Sequence, residues 1–345
     1  MRRMLIALGV ALGLASGAHA AGTKSVKDWT AVCANTGACT AFGFSSEDDE
    51  DHAYLLIQRD AGPAAKPRVS IVYNSGNTEP SAAWLLNVND HPVAGVGRIH
   101  AIGSDNGARA DLAGPAAAAL VAALRNGASL QIVATKAPVA KVSLSGSAAI
   151  LLWVDAQQGR VDTVTALGKP GPKPASLVPP PVAPPLICPA PAVAQAGLPA
   201  HTPPALIKGL DDCELDADNK DPDDIVARLS PGVVLWAPEC SMAAYNEMNV
   251  FFVGDEHARN LKRIALPEAP GSDQATDDEP MNVNFDPTTQ TLASFSKGRG
   301  IGDCGEVDNW VWTGKAFELI SEDIMSECRG VISDDWPPLF VSRQK

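Results

Sequence analysis

Residues 291–312 read TLASFSKGRGIGDCGEVDNWVW, and the choice between a nucleotide-binding α/β fold and a mainly β fold turns on them. Gly300, Gly302 and Gly305 make a formal G-x-G-x-x-G match. A dinucleotide fingerprint needs a strand before the glycines and a helix after them, so that the pyrophosphate meets the helix N-terminus. Residues 291–295 supply the strand. The residues after the glycines, Glu306-Val307-Asp308-Asn309-Trp310-Val311-Trp312, alternate polar with apolar and end in Thr313-Gly314, a second strand and a turn. Asp303 and Glu306 would repel a phosphate, and no G-K-[ST] comes after the glycines. The stretch reads as strand, loop, strand, and nucleotide binding is set aside. A simpler anion site remains, formed by Lys297, Arg299 and converging backbone amides.

Outward from this hairpin the C-terminal half continues in the same style. Strand-like runs fall at 233–236, 250–253, 261–264, 281–285, 309–312 and 317–320, and Asp286-Pro287-Thr288-Thr289-Gln290 reads as a hairpin turn. Asp221-Pro222-Asp223-Asp224 carries the signals of a helix start: an N-cap, proline at the first position and acids at the positive end. Alternation places Trp310 and Trp312 on one sheet face. They read first as core; an exposed pair would form a platform for carbohydrate or peptide.

The N-terminal half has short strand-like runs at 28–33, 39–44, 53–59, 68–73, 83–89, 94–100, 129–134 and 139–144, which suggests a sandwich or barrel-like β domain. Pro115 and Gly127 bracket a helix at 116–125. Residues 148–155 suit either a second helix or a buried strand. Between the halves, residues 169–204 carry thirteen prolines in 36 positions. With so few backbone donors this segment is expected to stay extended, to join no sheet and to act as a linker. The fold class expected is mainly β with few short helices: an N-terminal β-sandwich-like domain (23–168), a Pro-rich linker (169–204) and a C-terminal antiparallel β-meander domain (205–340).

The chain opens MRRMLIALGVALGLASGAHA, a basic start, a short apolar run and an A-x-A site, which predicts a secretory leader (1–20) cleaved after Ala20. The expected location is the periplasm, with no integral membrane span left after cleavage. Without the leader, 25 basic face 40 acidic side chains, a net charge of −15, which speaks against nucleic acid and anionic lipid as partners. In an oxidising compartment cysteines pair. Cys33–Cys39, Cys213–Cys240 and Cys304–Cys328 each close a loop within one half, leaving Cys188 over as a free thiol, an intermolecular partner or a rival for Cys213.

Catalytic and metal signatures are thin. No C-x-x-C, H-E-x-x-H or G-x-S-x-G occurs, so no zinc, cofactor or nucleophile elbow is assigned. Two acidic runs, 47–51 and 211–221, hold oxygen ligands for calcium, but the second lacks the turn glycine of an EF-hand at Ala217 and reads first as a solvated loop. The candidate ligand-binding residues are Lys297, Arg299, Asp303, Trp310 and Trp312. Binding to an envelope protein or polymer is the leading expectation. A hydrolase of an envelope polymer using Asp303, Glu306 and Asp308 is the rival, and calcium-dependent adhesion a third reading.

Several of these stretches carry a resemblance. Lys27-Asp28-Trp29-Thr30-Ala31-Val32-Cys33 with Cys39, Gln58-Arg59-Asp60-Ala61-Gly62-Pro63, Cys240 with Ala244-Tyr245-Asn246, the 297–305 loop, and Glu327-Cys328-Arg329-Gly330 before Asp335-Trp336-Pro337 together resemble domain-of-unknown-function family 1176. The resemblance covers nearly the whole chain after the leader and implies an exported proteobacterial protein; it implies no mechanism. The N-terminal half is also similar to the invasion-associated locus B family, through Trp29, Val32 and Cys33 and the order helix, Asn126-Gly127, strand, Ser143-Leu144-Ser145-Gly146, with Ser147 departing from that pattern. That likeness implies a small β-sandwich.

Overall fold

The computed structural model describes residues 21–46, 52–74, 81–104, 107–134, 137–207, 210, 213, 223–270 and 280–345. The expected leader and most of both acidic runs lie outside the described residues. Strands β1 (Gly22–Val26), β2 (Trp29–Cys33), β3 (Cys39–Phe44), β4 (His52–Arg59), β5 (Arg68–Asn74), β6 (Ser81–Val88), β7 (His91–Pro92), β8 (Arg98–Ser104), β9 (Gly107–Leu112), β10 (Ser129–Ala134) and β11 (Ala137–Ser143) form one antiparallel sheet of 11 strands. Its order is 1-2-3-4-5-9-8-6-10-11, with β7 on β6. The sheet curls until its ends meet: the Trp29 indole Nε1 on β2 donates to Ser143 O at the end of β11, at 2.8 Å. Helices α1 (Gly114–Leu124) and α2 (Ser147–Gln157) pack their apolar sides into the same core. The sandwich-or-barrel expectation resolves as a single curled sheet, and 147–157 is a helix, not a strand. Its entry requires glycine at Gly146, where φ is 105° and a Cβ would sit 2.0 Å from Val26 O.

Strands β2 to β5 are apolar almost throughout because both their faces are covered. Trp29, Ala31, Ala41, Leu55, Ile57 and Ile71 face the curled interior. Phe42, Phe44, Tyr54, Leu56 and Val72 face the other way and share a cluster with Cys304, Met325, Val331 and Trp336 of the C-terminal half. Polar contacts cross the same junction. Tyr54 Oη donates to Asp335 Oδ2 at 2.7 Å, Arg109 Nη1 donates to Asp335 Oδ1 at 2.7 Å, and Asn35 exchanges two 3.0 Å bonds with Val341.

The Pro-rich segment departs from expectation. Leu186–Ile187 (β12) pairs in parallel with the final strand, Val182 N donates to Thr36 O, Ala190 N donates to Trp312 O, and Pro185 O accepts from Arg343 N. It does join a sheet, because its non-proline residues supply donors where they are needed and the prolines keep their carbonyl acceptors. The segment is a strap against both halves.

Beyond it come a short α3 (Pro204–Ile207), β13 (Ile225–Ser230), β14 (Val233–Ala237), β15 (Glu239–Met242), β16 (Glu247–Asn249), β17 (Phe252–Gly254), β18 (Lys262–Arg263), β19 (Asn284–Asp286), β20 (Thr291–Lys297), β21 (Gly305–Trp312), β22 (Phe317–Met325), β23 (Pro338–Val341) and β24 (Arg343–Gln344). The helix expected after Asp221 is not formed. Asp221 and Pro222 lie outside the described residues, and 225–230 is strand, with Ala227 and Leu229 turned inward. Asp224 caps no helix; its carboxylate accepts from Thr202 N and Glu239 N. Strands β19 to β23 are the expected antiparallel meander, and β13-β14-β17-β18 form a second sheet over their shared core. The three expected disulfides are present, and Cys188 is an exposed thiol outside them.

Candidate functional site: an acidic cavity on the meander

The glycine loop connects β20 to β21 and cradles nothing itself. Gly298 N donates to Cys304 O and Gly302 N to Arg299 O, so these amides are spent inside the loop. Gly305 has φ 134°, and a Cβ there would sit 1.9 Å from Ser296 O, which explains that glycine as a strand-pairing requirement. Arg299 is committed as well. Its Nε and Nη2 donate to Asp303 Oδ1 and Oδ2 at 2.6 and 2.5 Å, while Gly330 N donates to Asp303 Oδ2 at 2.6 Å. Burial works against ionisation of Asp303, yet the Arg299 guanidinium and the Gly330 amide hold its carboxyl below the usual range.

Beside this loop the three central strands of the meander place acids on one face. Register sets Ser294 opposite Asp308 and Asp308 opposite Glu322, with Ser296, Glu306 and Ile324 as the next row. Of these residues Ser296, Glu306, Asp308, Glu322 and Ile324 line one cavity of about 540 Å³. Its walls include Leu266, Trp310 and Ile324, and its rim includes Asn246, Glu268 and Lys297. Asp308 is 7% exposed and Glu322 3%. Asp308 Oδ2 accepts from Ser294 Oγ at 3.0 Å, and Glu322 Oε2 from Ala269 N at 2.9 Å. The other oxygens, Asp308 Oδ1 and Glu322 Oε1, together with Glu306 Oε1, are buried with no hydrogen-bond partner among the described residues.

Loss of solvent and mutual repulsion raise all of these carboxyls. Burial, then Glu322 and Glu306, push Asp308 up to about 8. Burial, then Glu322 and Glu268, push Glu306 up to about 7. Burial raises Glu322, and it alone lifts Asp323, on the opposite face of β22, to about 6.

Of the residues the sequence singles out, the cavity gathers Lys297, Trp310, Glu306 and Asp308. Arg299, Asp303 and Trp312 lie outside its lining. The tryptophans form no exposed platform: Trp310 and Trp312 are 2% and 4% exposed, and their Nε1 groups donate to Pro267 O and Ser230 Oγ.

The sequence profile described as protein of unknown function (DUF1176) matches residues 23–343. The chain belongs to that family. This DUF1176 chain is also similar to an uncharacterized protein, YpfG, of Escherichia coli strain K12, with 31% identity over 221 residues, 59% of this chain and 60% of that protein. The match thus spans less than two thirds of the relative's own length. No solved structure matches the chain significantly. No helix among the described residues is long and apolar enough to cross a membrane.

Glu322 is the cavity acid of this DUF1176 chain that sequence reading misses. A bulge lies between the pairs Asn309↔Ser321 and Trp310↔Leu319, leaving Ile320 unopposed. Strict alternation from Leu319 would aim Asp323 at the cavity; the extra residue aims Glu322 there instead.

Proposed function

We propose that this protein is an exported, periplasmic binding module whose ligand is cationic and enters the cavity between Asp308, Glu322 and Glu306. The observation that carries this reading is the pair of carboxylate oxygens, Asp308 Oδ1 and Glu322 Oε1, buried without a donor. Such groups are costly in an empty protein and strongly favourable to a ligand that brings both charge and N–H donors. The three disulfides and the leader-like start support export, and the acidic balance of the chain suits the same sign of ligand. The halves 23–168 and 205–340 are read as two parts of one platform, held by the 169–204 strap and the Asp335 contacts.

Hydrolysis is the weaker alternative. Of its carboxyls Asp303, Glu306 and Asp308, Asp303 is taken up by Arg299 and Gly330 outside the cavity lining, and the remaining pair, Glu306 and Asp308, is pushed up together instead of being divided into acid and base. Melting curves of the full chain at pH 7.5 test the proposal. Organic ammonium compounds are expected to raise the melting temperature, phosphate and neutral sugars to leave it unchanged, and Asp308→Asn to abolish the shift. Turnover of a peptidoglycan or glucan substrate that disappears in Glu306→Gln would overturn the proposal in favour of a hydrolase.

A further inference from the structure

Resting on the reading of the cavity as a cation site, we infer that its ligand is a linear diamine or polyamine, with one ammonium group between Asp308 and Glu322 and a second at Glu306. Three features of the cavity select this class over a metal ion or a monoamine.

The first is the spread of the acceptors. Among the described residues no group of three His, Cys, Asp or Glu side chains could hold a metal ion. The carboxyls line a cavity without converging on a point, so a cation whose charge is divided over two ends matches them where a compact ion does not.

The second is spacing. Asp308 and Glu322 are direct cross-strand partners, which puts their Cβ atoms ~4.5–5.5 Å apart, close enough to share one ammonium. Glu306 is two residues along β21 on the same face, ~6.6 Å away. A chain of about four or five methylenes covers that separation.

The third is the wall between these two ends. Leu266, Trp310 and Ile324 present apolar surface to the methylenes. A cavity of about 540 Å³ is larger than one ammonium group needs and suits a ligand of this length.

The charged groups around the ligand are Glu306 and Asp308 from β21, Glu322 from β22, Glu268 from the segment after β18, and Lys297 from the end of β20, with Asp323 behind them on the opposite face of β22. Acids outnumber the Lys297 cation around the cavity as a whole. Because Asp308 and Glu306 hold protons near neutrality, entry of a dication drives protons out, and binding strengthens as pH rises.

Titration calorimetry of the full chain at pH 7.5, in two buffers of different ionisation heat, tests the inference with 1,4-diaminobutane, 1,5-diaminopentane, spermidine, butylamine and calcium chloride. The expected result is diamine binding at least ~10-fold tighter than butylamine or calcium, with net proton release. Asp308→Asn and Glu322→Gln should each weaken diamine binding at least ~10-fold while leaving the melting temperature equal or higher. Butylamine or calcium binding as tightly as the diamines, with the same sensitivity to both substitutions, would overturn the diamine class and leave the cavity reading standing. If none of these cations binds, the cavity reading falls and the diamine inference with it.

Discussion

Two clusters of buried charge sit in this molecule, and they are built in opposite ways. Under α2, Arg59 and Asp155 are 1% and 0% exposed and pair at 2.8 Å. Every group around them has a partner: Asp155 also accepts from Leu167 N and Gly168 N, Gln158 Oε1 accepts from Arg59 Nε at 2.6 Å, Arg59 Nη1 donates to Thr165 O, and Arg160 donates to Thr165 and Gly62. Burial lowers Arg59 to about 10, against the pull of Asp155, and it stays charged. In the meander, three acids face one cavity with one oxygen each left over. The closed network fixes the end of α2 to β4; the open one stores unmet hydrogen-bonding capacity. That difference separates scaffold from site more sharply than burial or charge alone.

The largest effect should come from opening the closed network. Asp155→Ala strands the Arg59 guanidinium and the two amides of Leu167 and Gly168, with an expected loss of ~3–5 kcal/mol in urea unfolding. Glu322→Gln, about as buried, should leave stability equal or higher, because it removes repulsion. Equal losses at the two sites would break the contrast.

The closed network and the open one also differ in how far the sequence discloses them. Strand positions are legible wherever alternation is undisturbed, as at 39–44, 129–134 and 291–312, and the disulfide pairing is legible from loop closure. Legibility fails where tertiary context decides. Residues 22–26 and 107–112 carry weak strand signals and are recruited by neighbours across the sheet. Ile225 opens a strand although acids and a proline precede it. The cavity acids Glu306 and Asp308 can be picked out as an alternating pair, but Glu322 comes to them through one bulge, which no period-2 reading anticipates. The Arg59–Asp155 pair, 96 residues apart in sequence, leaves no local signal at all.

A second, smaller effect concerns pH. The folded chain keeps protons on Glu306 and Asp308 that the unfolded chain releases at ordinary carboxylate values, so stability is highest at mildly acidic pH. It declines as pH rises from about 4 toward about 8, and the loss is complete above the raised values. Asp308→Asn should flatten this slope and leave the empty protein ~1–3 kcal/mol more stable at pH 8.5. Chemical denaturation of both proteins between pH 5 and 8.5 reads the difference. Parallel slopes would mean that Asp308 ionises freely and that the cavity is wet.

Next in size is the junction between the halves. Tyr54→Phe removes the 2.7 Å bond to Asp335 but leaves Arg109 in place, so a loss of ~0.5–1.5 kcal/mol is expected. Arg109→Ala in the same background should cost more than it does alone if Tyr54 and Arg109 support Asp335 jointly, and a double-mutant cycle measures that coupling.

The smallest effect on stability should be the most informative about the site. Lys297 is among the residues that line the cavity, but it pairs with Gly305, one place off the Ser296–Glu306 row, and its Nζ lies 5.6 Å from the Phe295 ring centroid. In the sequence it looks like half of an anion site with Arg299, yet Arg299 is taken up by Asp303, and the Lys297 charge acts on the carboxyl of Glu247. Lys297→Gln, at a half-buried position outside the core clusters, should change stability by less than ~0.5 kcal/mol. Its effect on ligands depends on the sign of the site. At an anion site, loss of this rim cation weakens binding; at a cation site it removes a repulsion and strengthens binding by ~2- to 5-fold, more at low salt than at high. Comparing phosphate with 1,4-diaminobutane on the two proteins gives opposite directions for the two readings, so one titration pair decides which of the two charge clusters is built to be filled from outside.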